Sequence, residues 1–262
     1  MRAFGLVAAS FTLFNAQVLL AADAQQEITQ DRAEAIIQKF AAKEAEFAQA
    51  RENYVYKQTA RVQTLDPGGA PTGKWETVSD ITFNPVDGKR MEHVTYSPVS
   101  TLTEVNLTPE DMEDLKSVQP FVLTTAELPK YLIRYLGQQK VDEIGCYVFA
   151  VKPKKMEPGQ RYFEGEVWVD DRDLQIVKSY GRGVGKLKRN EDQQFPKFET
   201  YREQIDGKYW FPTYTIANDT LHFKENDVRL KQTVRYEDYK QFKAKSSITF
   251  GGEADSKEPK KP

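Results

Sequence analysis

The sequence predicts a mainly antiparallel β domain of the α+β class. We expect a strongly curved sheet or incomplete β-barrel with an N-terminal helix and lid-like helices inserted into it. Three observations lead to this prediction. About nine segments have strand character and three have helical periodicity, without the strand–helix alternation of a parallel sheet. Aromatic residues make up 12% of the chain, and they pack well on pleated surfaces. The last predicted strand, 227–239, alternates apolar and charged residues, which is typical of an antiparallel sheet with one dry face.

The first 24 residues have the features of a cleaved signal peptide. Arg2 gives a positive start, residues 3–20 are mostly apolar without a formal charge, and Ala22-Asp23-Ala24 is a small-x-small cleavage pattern. We therefore predict cleavage before Gln25 and export from the cytoplasm. An uncleaved membrane anchor is the alternative, since the apolar stretch approaches the length of a membrane span. Residues 25–250 are predicted to form a single domain, and the polar, charged residues 251–262 a disordered tail.

Charge and cysteine content bear on the class of protein. Charged residues are 29% of the chain but the net charge is only −2, so bulk electrostatics do not favour binding to nucleic acid. Cys146 is the only cysteine, so the chain has no internal disulfide. Because Cys146 lies in an apolar run, we predict a buried core residue rather than a reactive thiol.

The first predicted element is a helix over 29–51. It carries apolar side chains at helical spacing, and Asp31 and Glu34 have the spacing of a capping pair. From residue 54 the apolar period changes from helical spacing to two. Three strands are predicted there, separated by segments rich in Pro, Gly and Asp: 54–65, 75–83 and 90–96.

Two helices are predicted to interrupt the strands. The first, 108–119, begins with a Thr cap, a Pro at the first helical position and acids in its first turn. The second, 125–136, has apolar residues at helical spacing and ends before a Gly. Their apolar faces comprise Met112 and Leu115 in the first helix, and Leu128, Tyr131, Leu132 and Tyr135 in the second.

After the second helix, the chain is predicted to be almost entirely strand. Turn residues at 171–173 and at 206–207 indicate tight hairpins. The six predicted strands are 139–151, 161–170, 174–180, 198–205, 209–217 and 227–239.

Residues that would carry catalysis are sparse. His93 and His222 have no neighbours at zinc-ligand spacing. The glycine-rich segment 181–186 lacks the spacing of a phosphate-binding loop, so we interpret it as a flexible basic loop. The acidic run 170–173 lacks the central Gly of a calcium loop and is interpreted as a charged turn. We therefore expect no cofactor, no metal and no enzymatic activity.

Residues 146–151 are apolar on both faces of their predicted strand, and Trp168 stands among acidic residues on one face of the next strand. One face of a curved sheet packs on the core. The second face must be covered by helices or lined by a ligand, and the sequence leaves both possibilities open. Barrels of this size commonly enclose a pocket.

Two strand pairs carry a family resemblance. The segments GEVWVD at 165–170 and LQIVKSY at 174–180 resemble a hairpin of the LolA/LolB/RseB-like superfamily of outer-membrane lipoprotein-sorting proteins. The segment YREQIDGKYWFP at 201–212 is similar to a later strand pair of that superfamily. The order of signal peptide, long helix, paired strands, inserted helices and remaining strands also matches, over residues 29–239.

The resemblance implies a half-open barrel whose mouth is closed by helices and whose apolar interior takes lipoprotein acyl chains. The protein would then be a monomeric periplasmic carrier or binding protein for lipoprotein acyl chains or another lipid. An RseB-like sensor or adaptor that contacts another envelope membrane protein is the alternative. Asn84-Pro85 stands where carriers of this superfamily have an Arg-Pro pair that helps to hold the lid. The predicted cavity and lid residues are Met112, Leu115, Leu128, Tyr131, Leu132, Tyr135, Tyr147, Phe149, Phe163, Val167 and Trp168.

Overall fold

Ten antiparallel strands form one curved sheet in the computed structural model, which describes residues 28–186 and 193–242. The predicted signal peptide and the predicted tail lie outside these residues. The mainly antiparallel, incomplete-barrel fold class is confirmed. The strands are β1 (Tyr54–Leu65), β2 (Pro71–Phe83), β3 (Arg90–Tyr96), β4 (Tyr131–Val141), β5 (Ile144–Pro153), β6 (Arg161–Asp170), β7 (Ile176–Gly185), β8 (Phe198–Ile205), β9 (Tyr209–His222) and β10 (Asp227–Gln241).

The strand order, β3-β2-β1-β10-β9-β8-β7-β6-β5-β4, consists of two meanders joined side by side. Strands β1 to β3 form the first meander and β4 to β10 the second, and the pairing of β1 with β10 joins them. Within the described residues, β3 and β4 each pair with one neighbour only, so the sheet stays open between them.

Helix α1 (Gln30–Arg51) packs against the second meander. Its N-cap is Thr29, whose hydroxyl accepts a hydrogen bond from the backbone N–H of Arg32, so the predicted capping by Asp31 is wrong. The apolar stripe of the helix includes Phe40 and Phe47, both fully buried. The ring of Phe40 lies 5.3 Å from that of Phe149 on β5. This packing gives the amphipathic helix its place on the sheet.

The connection between β3 and β4, residues 97–130, forms a covering segment over the first meander and its junction with the second. It contains α2 (Pro109–Glu113), capped by Thr108 and Asp111 in a reciprocal capping box, and a π-helical turn over Asp114–Val118. The first predicted inserted helix is therefore present. Leu115 packs with Tyr56, Ile81, Val234 and Tyr236, whereas Leu102, Val105 and Leu107 pack with Val62, Leu221 and Leu230.

The second predicted inserted helix, 125–136, is wrong. Only Leu128–Lys130 are helical, as a single 3-10 turn, and β4 begins at Tyr131. Tyr131, Ile133 and Tyr135 fit a period of two, with Leu132 on the opposite face. Tyr131 is 6% exposed on the inner face, whereas Leu132 is 49% exposed on the outer face. Pairing with β5 overrides the weak helical pattern.

Two further boundaries differ from the prediction. The segment predicted as one strand over 139–151 contains the turn between β4 and β5, where Asp142 adopts a φ of 51°. The segment 181–186, predicted as a flexible loop, continues strand β7 to Gly185 and pairs with β6. The hairpin at Asp206-Gly207 is confirmed, with φ values of 54° and 67°. In the part of the chain that the structure describes, no helix has the length and apolar character to cross a membrane.

Candidate binding cleft

A cleft of about 620 Å³ lies where the sheet stays open, and we call it the seam cleft. One wall comes from the first meander and the other from β4 and β6, with the end of α1 and the covering segment between them. A neighbouring cleft of about 1040 Å³ shares several of its residues, including Tyr131, Arg161 and Tyr162, so the two are adjacent. Each volume falls in or near the range typical of small-molecule sites.

Aromatic side chains line much of the seam cleft. Phe121 of the covering segment stacks on Phe163 of β6, with ring centroids 4.4 Å apart and an interplanar angle of 23°. Tyr131 meets Phe121 edge-on at 5.8 Å. Such rings offer apolar surface at a low entropy cost, and a tyrosine adds a polar end. The six aromatic residues of the lining are Tyr56, Phe83, Phe121, Tyr131, Tyr162 and Phe163.

Two arginines of the lining are held by carboxylates. Arg90 on β3 donates from Nη1 to Glu92 over 2.9 Å and from Nη2 to Gln58 over 3.1 Å. Arg161 on β6 makes a bidentate pair with Asp114 of the covering segment, from Nε over 2.8 Å and from Nη2 over 2.5 Å. Burial raises the pKa of Asp114 to about 6, although the hydrogen bonds from Arg161 act in the opposite direction.

The Asp114–Arg161 pair fits above a row of glycines on β7. Gly181 and Gly183 lie on the inner face, alternating with outward-facing residues. A Cβ at Gly183 would overlap the Asp114 carboxylate, and a Cβ at Gly181 would meet the ring of Phe163 at 2.8 Å. The glycines therefore provide space for side chains of the cleft wall, which explains their spacing of two.

Arg51, the last residue of α1, differs from the other two arginines. Its guanidinium lies near the rings of Phe47 and Phe83, at 5.8 and 5.5 Å from their centroids. No described carboxylate lies within 4.0 Å of it. Burial lowers the pKa of Arg51, yet an arginine stays protonated at neutral pH.

Most of the predicted cavity and lid residues lie close together in the structure. However, most of them pack in the protein core and do not line an open cavity. Five of them are buried in one cluster around α1, with Leu128 and Tyr135 against it. Met112 and Leu115 belong to a second cluster, under the covering segment. Of the eleven predicted residues, only Tyr131 and Phe163 line the seam cleft. The five in the main cluster are Tyr131, Tyr147, Phe149, Phe163 and Val167.

The outer face of β5 has its own apolar cover. Cys146 and Val148 pack there with Trp168 and Val177, and the indole Nε1 of Trp168 donates to Gln139 over 3.0 Å. Cys146 is 1% exposed, and burial raises the pKa of its thiol to about 12. The predicted buried role of Cys146 is confirmed, and Trp168 does not face the interior cleft.

The three arginines of the seam cleft were not identified from the sequence. They come from α1, β3 and β6, and no local spacing connects them. The described residues also contain no group of His, Cys, Asp and Glu side chains that would hold a metal ion. His222 forms an exposed contact of 2.9 Å with Asp227.

Comparison with known proteins gives remote similarities to solved structures. No protein-family model and no curated protein matches the sequence. A crystal structure of MucB is 14% identical, with 79% of this chain and 93% of that chain covered and a TM-score of 0.26. MucB in complex with MucA(peri) is 10% identical, with 79% and 99% covered and a TM-score of 0.23. The Pseudomonas aeruginosa MucA/MucB complex is 12% identical, with 78% and 100% covered and a TM-score of 0.20. From values this low, no function is transferred.

Proposed function

We propose that this protein is a non-enzymatic binding protein of the periplasm that holds a lipid or a lipoprotein acyl chain in the seam cleft. The observation that carries the proposal is the aromatic lining of a cleft of about 620 Å³ at the open side of a half-barrel. Export is supported by the signal-peptide features of residues 1–24. The absence of a recognisable catalytic motif in the sequence favours binding over chemistry.

We assign the ligand to the seam because side chains fill the region of the sheet that packs against α1. Phe40 and Phe149 are fully buried in the cluster around α1, so that region is protein core. At the seam, by contrast, two adjacent clefts together offer room for an extended chain. Burying such a chain would contribute about 0.8 kcal/mol per methylene, before the cost of ordering it.

Titration with a fluorescent long-chain acyl probe tests the proposal. We expect micromolar binding to the native protein and a loss of at least about tenfold for Phe83→Ala, since burial of a Phe ring contributes about 1.5–3 kcal/mol. Phe242→Ala is the matched control, because Phe242 is 66% exposed and lies outside the cleft. Absence of binding to the wild type, or equal losses for both variants, would exclude an acyl site in the seam cleft.

A second candidate function is an adaptor that contacts another envelope protein. Strand β3 favours it, because this edge strand exposes Met91, Val94 and Tyr96 by 44–53%. An exposed apolar edge strand is a surface on which another chain adds a strand. Native mass spectrometry of protein purified from its own envelope separates the two candidates, since a lipid adduct supports the first. A protein complex that Val94→Lys disrupts supports the second.

A further inference from the structure

We propose that the ligand of the seam cleft carries an oxyanion, a carboxylate or a phosphate, which is bound by Arg51 together with Arg90 and Arg161. This inference rests on the proposed function and specifies the head group of the bound amphiphile. The apolar part then extends along the aromatic wall toward the neighbouring cleft, which shares Tyr131 and Tyr162 with the first.

The hydrogen-bonding atoms of the cleft support an acceptor as the ligand group. Three buried nitrogens have no partner: Nε of Arg51, Nε of Arg90 and Nη1 of Arg161. All three residues line the seam cleft. Among the described lining residues, no buried acceptor atom lacks a partner. A buried donor without a partner is costly, so a group that only accepts hydrogen bonds matches this set.

The charges of the lining support an anion rather than a neutral acceptor. Glu92 neutralises Arg90 and Asp114 neutralises Arg161, whereas Arg51 has no described carboxylate within 4.0 Å. Glu113 and Glu127 also line the cleft, but Glu113 accepts from Ser117 and Glu127 pairs with Lys130. A guanidinium without a directly paired carboxylate binds a carboxylate or phosphate strongly, through charge-assisted hydrogen bonds.

A second, smaller cavity differs from the seam cleft, because none of its described lining residues has a buried cationic donor without a partner. It has a volume of about 250 Å³ and lies under the covering segment, beside Leu115 and Leu230. Its partnerless buried atoms include the amide Oε1 of Gln119 and Nε2 of Gln232. A neutral donor–acceptor pair of this kind selects no charge. Among the described residues, every buried arginine nitrogen without a partner belongs to a residue of the seam cleft.

Calorimetric titration of the full chain with alkyl ligands of one length but different head groups tests the inference. Dodecyl phosphate and dodecanoate present the oxyanion, dodecanol is neutral, and dodecyltrimethylammonium is cationic. We expect the two anions to bind at least about tenfold more tightly than dodecanol, and the cation to bind more weakly than dodecanol. This series uses the wild-type protein, so its result does not depend on the folding of a variant.

Substitution of the unpaired arginine locates the site. Arg51→Met should remove most of the preference for the anions over dodecanol. Arg134→Met is the matched control, because Arg134 is exposed on β4 outside the seam cleft, and it should keep the preference. Equal preferences in these two variants would overturn the assignment to Arg51.

The possible outcomes distinguish failure of the oxyanion proposal from failure of the acyl-binding function on which it rests. Binding of all four ligands with similar affinity would overturn the oxyanion proposal and leave the acyl-binding function standing. Tight binding of inorganic phosphate, with no gain from the dodecyl chain, would support the anion site and overturn the acyl function. Binding of none of the ligands, with phosphate also inert, would overturn both.

Discussion

The carboxylate of Glu44 is fully buried beneath the concave face of the sheet, where an ionised group is stable only with strong partners. It accepts from the backbone N–H of Ile176 over 3.1 Å and from Nη1 of Arg202 over 3.1 and 3.2 Å. Arg202 also donates to the carbonyl oxygens of Phe121 and Trp210. This ion pair therefore connects α1, the covering segment and the three strands β7, β8 and β9 at one point.

Removal of one member of this pair should be strongly destabilising. We expect Glu44→Ala to lower the free energy of unfolding by about 3–5 kcal/mol, because it leaves the Arg202 charge buried without a partner. The double variant Glu44→Leu/Arg202→Met should lose clearly less than the sum of the single losses. Urea unfolding measures all three, and strictly additive losses would contradict the coupling.

Asp114 predicts a pH dependence of stability. Its pKa rises from 3.8 in the unfolded chain to about 6 in the fold, so between these values the folded state binds the extra proton. This group therefore stabilises the fold fully below about pH 4 and loses that contribution, up to about 3 kcal/mol, as the pH rises through 6. Asp114→Asn has a neutral side chain at every pH and should therefore lack this slope. Urea titrations between pH 4 and 7 test it, and parallel curves for the two proteins would contradict it.

At the level of elements, the glycine-rich segment of β7 was predicted as a loop, but strand pairing makes it part of the sheet. Gly181, Gly183 and Gly185 suggested a flexible loop because glycine lowers the order of an isolated segment. In the fold, their period of two matches the pleat, and their missing side chains accommodate Phe163 and the Asp114–Arg161 pair. The glycine row is thus part of the wall of the seam cleft.

Filling this row should disturb the cleft. We expect Gly183→Ala to cost about 1–3 kcal/mol of stability, because its methyl group overlaps the Asp114 carboxylate and the well-packed wall has no room for it. The neighbouring Arg182→Ala is the control, since that side chain is 50% exposed and points outward. Thermal unfolding of both variants decides the matter, and an unchanged Gly183→Ala protein would show that the wall adapts freely.

The prediction of a helix over 125–136 was wrong because its apolar residues fit two different periods. Leu128, Tyr131, Leu132 and Tyr135 satisfy helical spacing, but Tyr131, Ile133 and Tyr135 equally satisfy the spacing of a strand. A short apolar run cannot distinguish these periods, and the partner strand β5 decides between them. Elements with a long, single-period pattern, such as α1 and β10, were predicted with nearly correct ends.

At the scale of the whole molecule, the sequence reveals the class of fold better than the site. Alternation along each strand is local, so the antiparallel sheet follows from it. The seam cleft depends on which elements meet in space, and Arg51, Arg90 and Arg161 belong to three elements far apart in the chain. Their paired or unpaired state depends on Asp114 and Glu92 from yet other segments. Spacing along the sequence therefore could not predict which of these arginines are paired with a carboxylate.

The pairing of β1 with β10 has a consequence for the kinetics of folding. Arg229 on β10 donates to the carbonyl of Asp66 at the end of β1, 163 positions earlier, and Arg202 reaches Glu44 over 158 positions. These contacts close very long loops, so the first meander and α1 gain their partners only after most of the chain has emerged. A nascent chain halted before β10 lacks the strand that joins the two meanders. Refolding should accordingly be slow, in the millisecond-to-second range or longer.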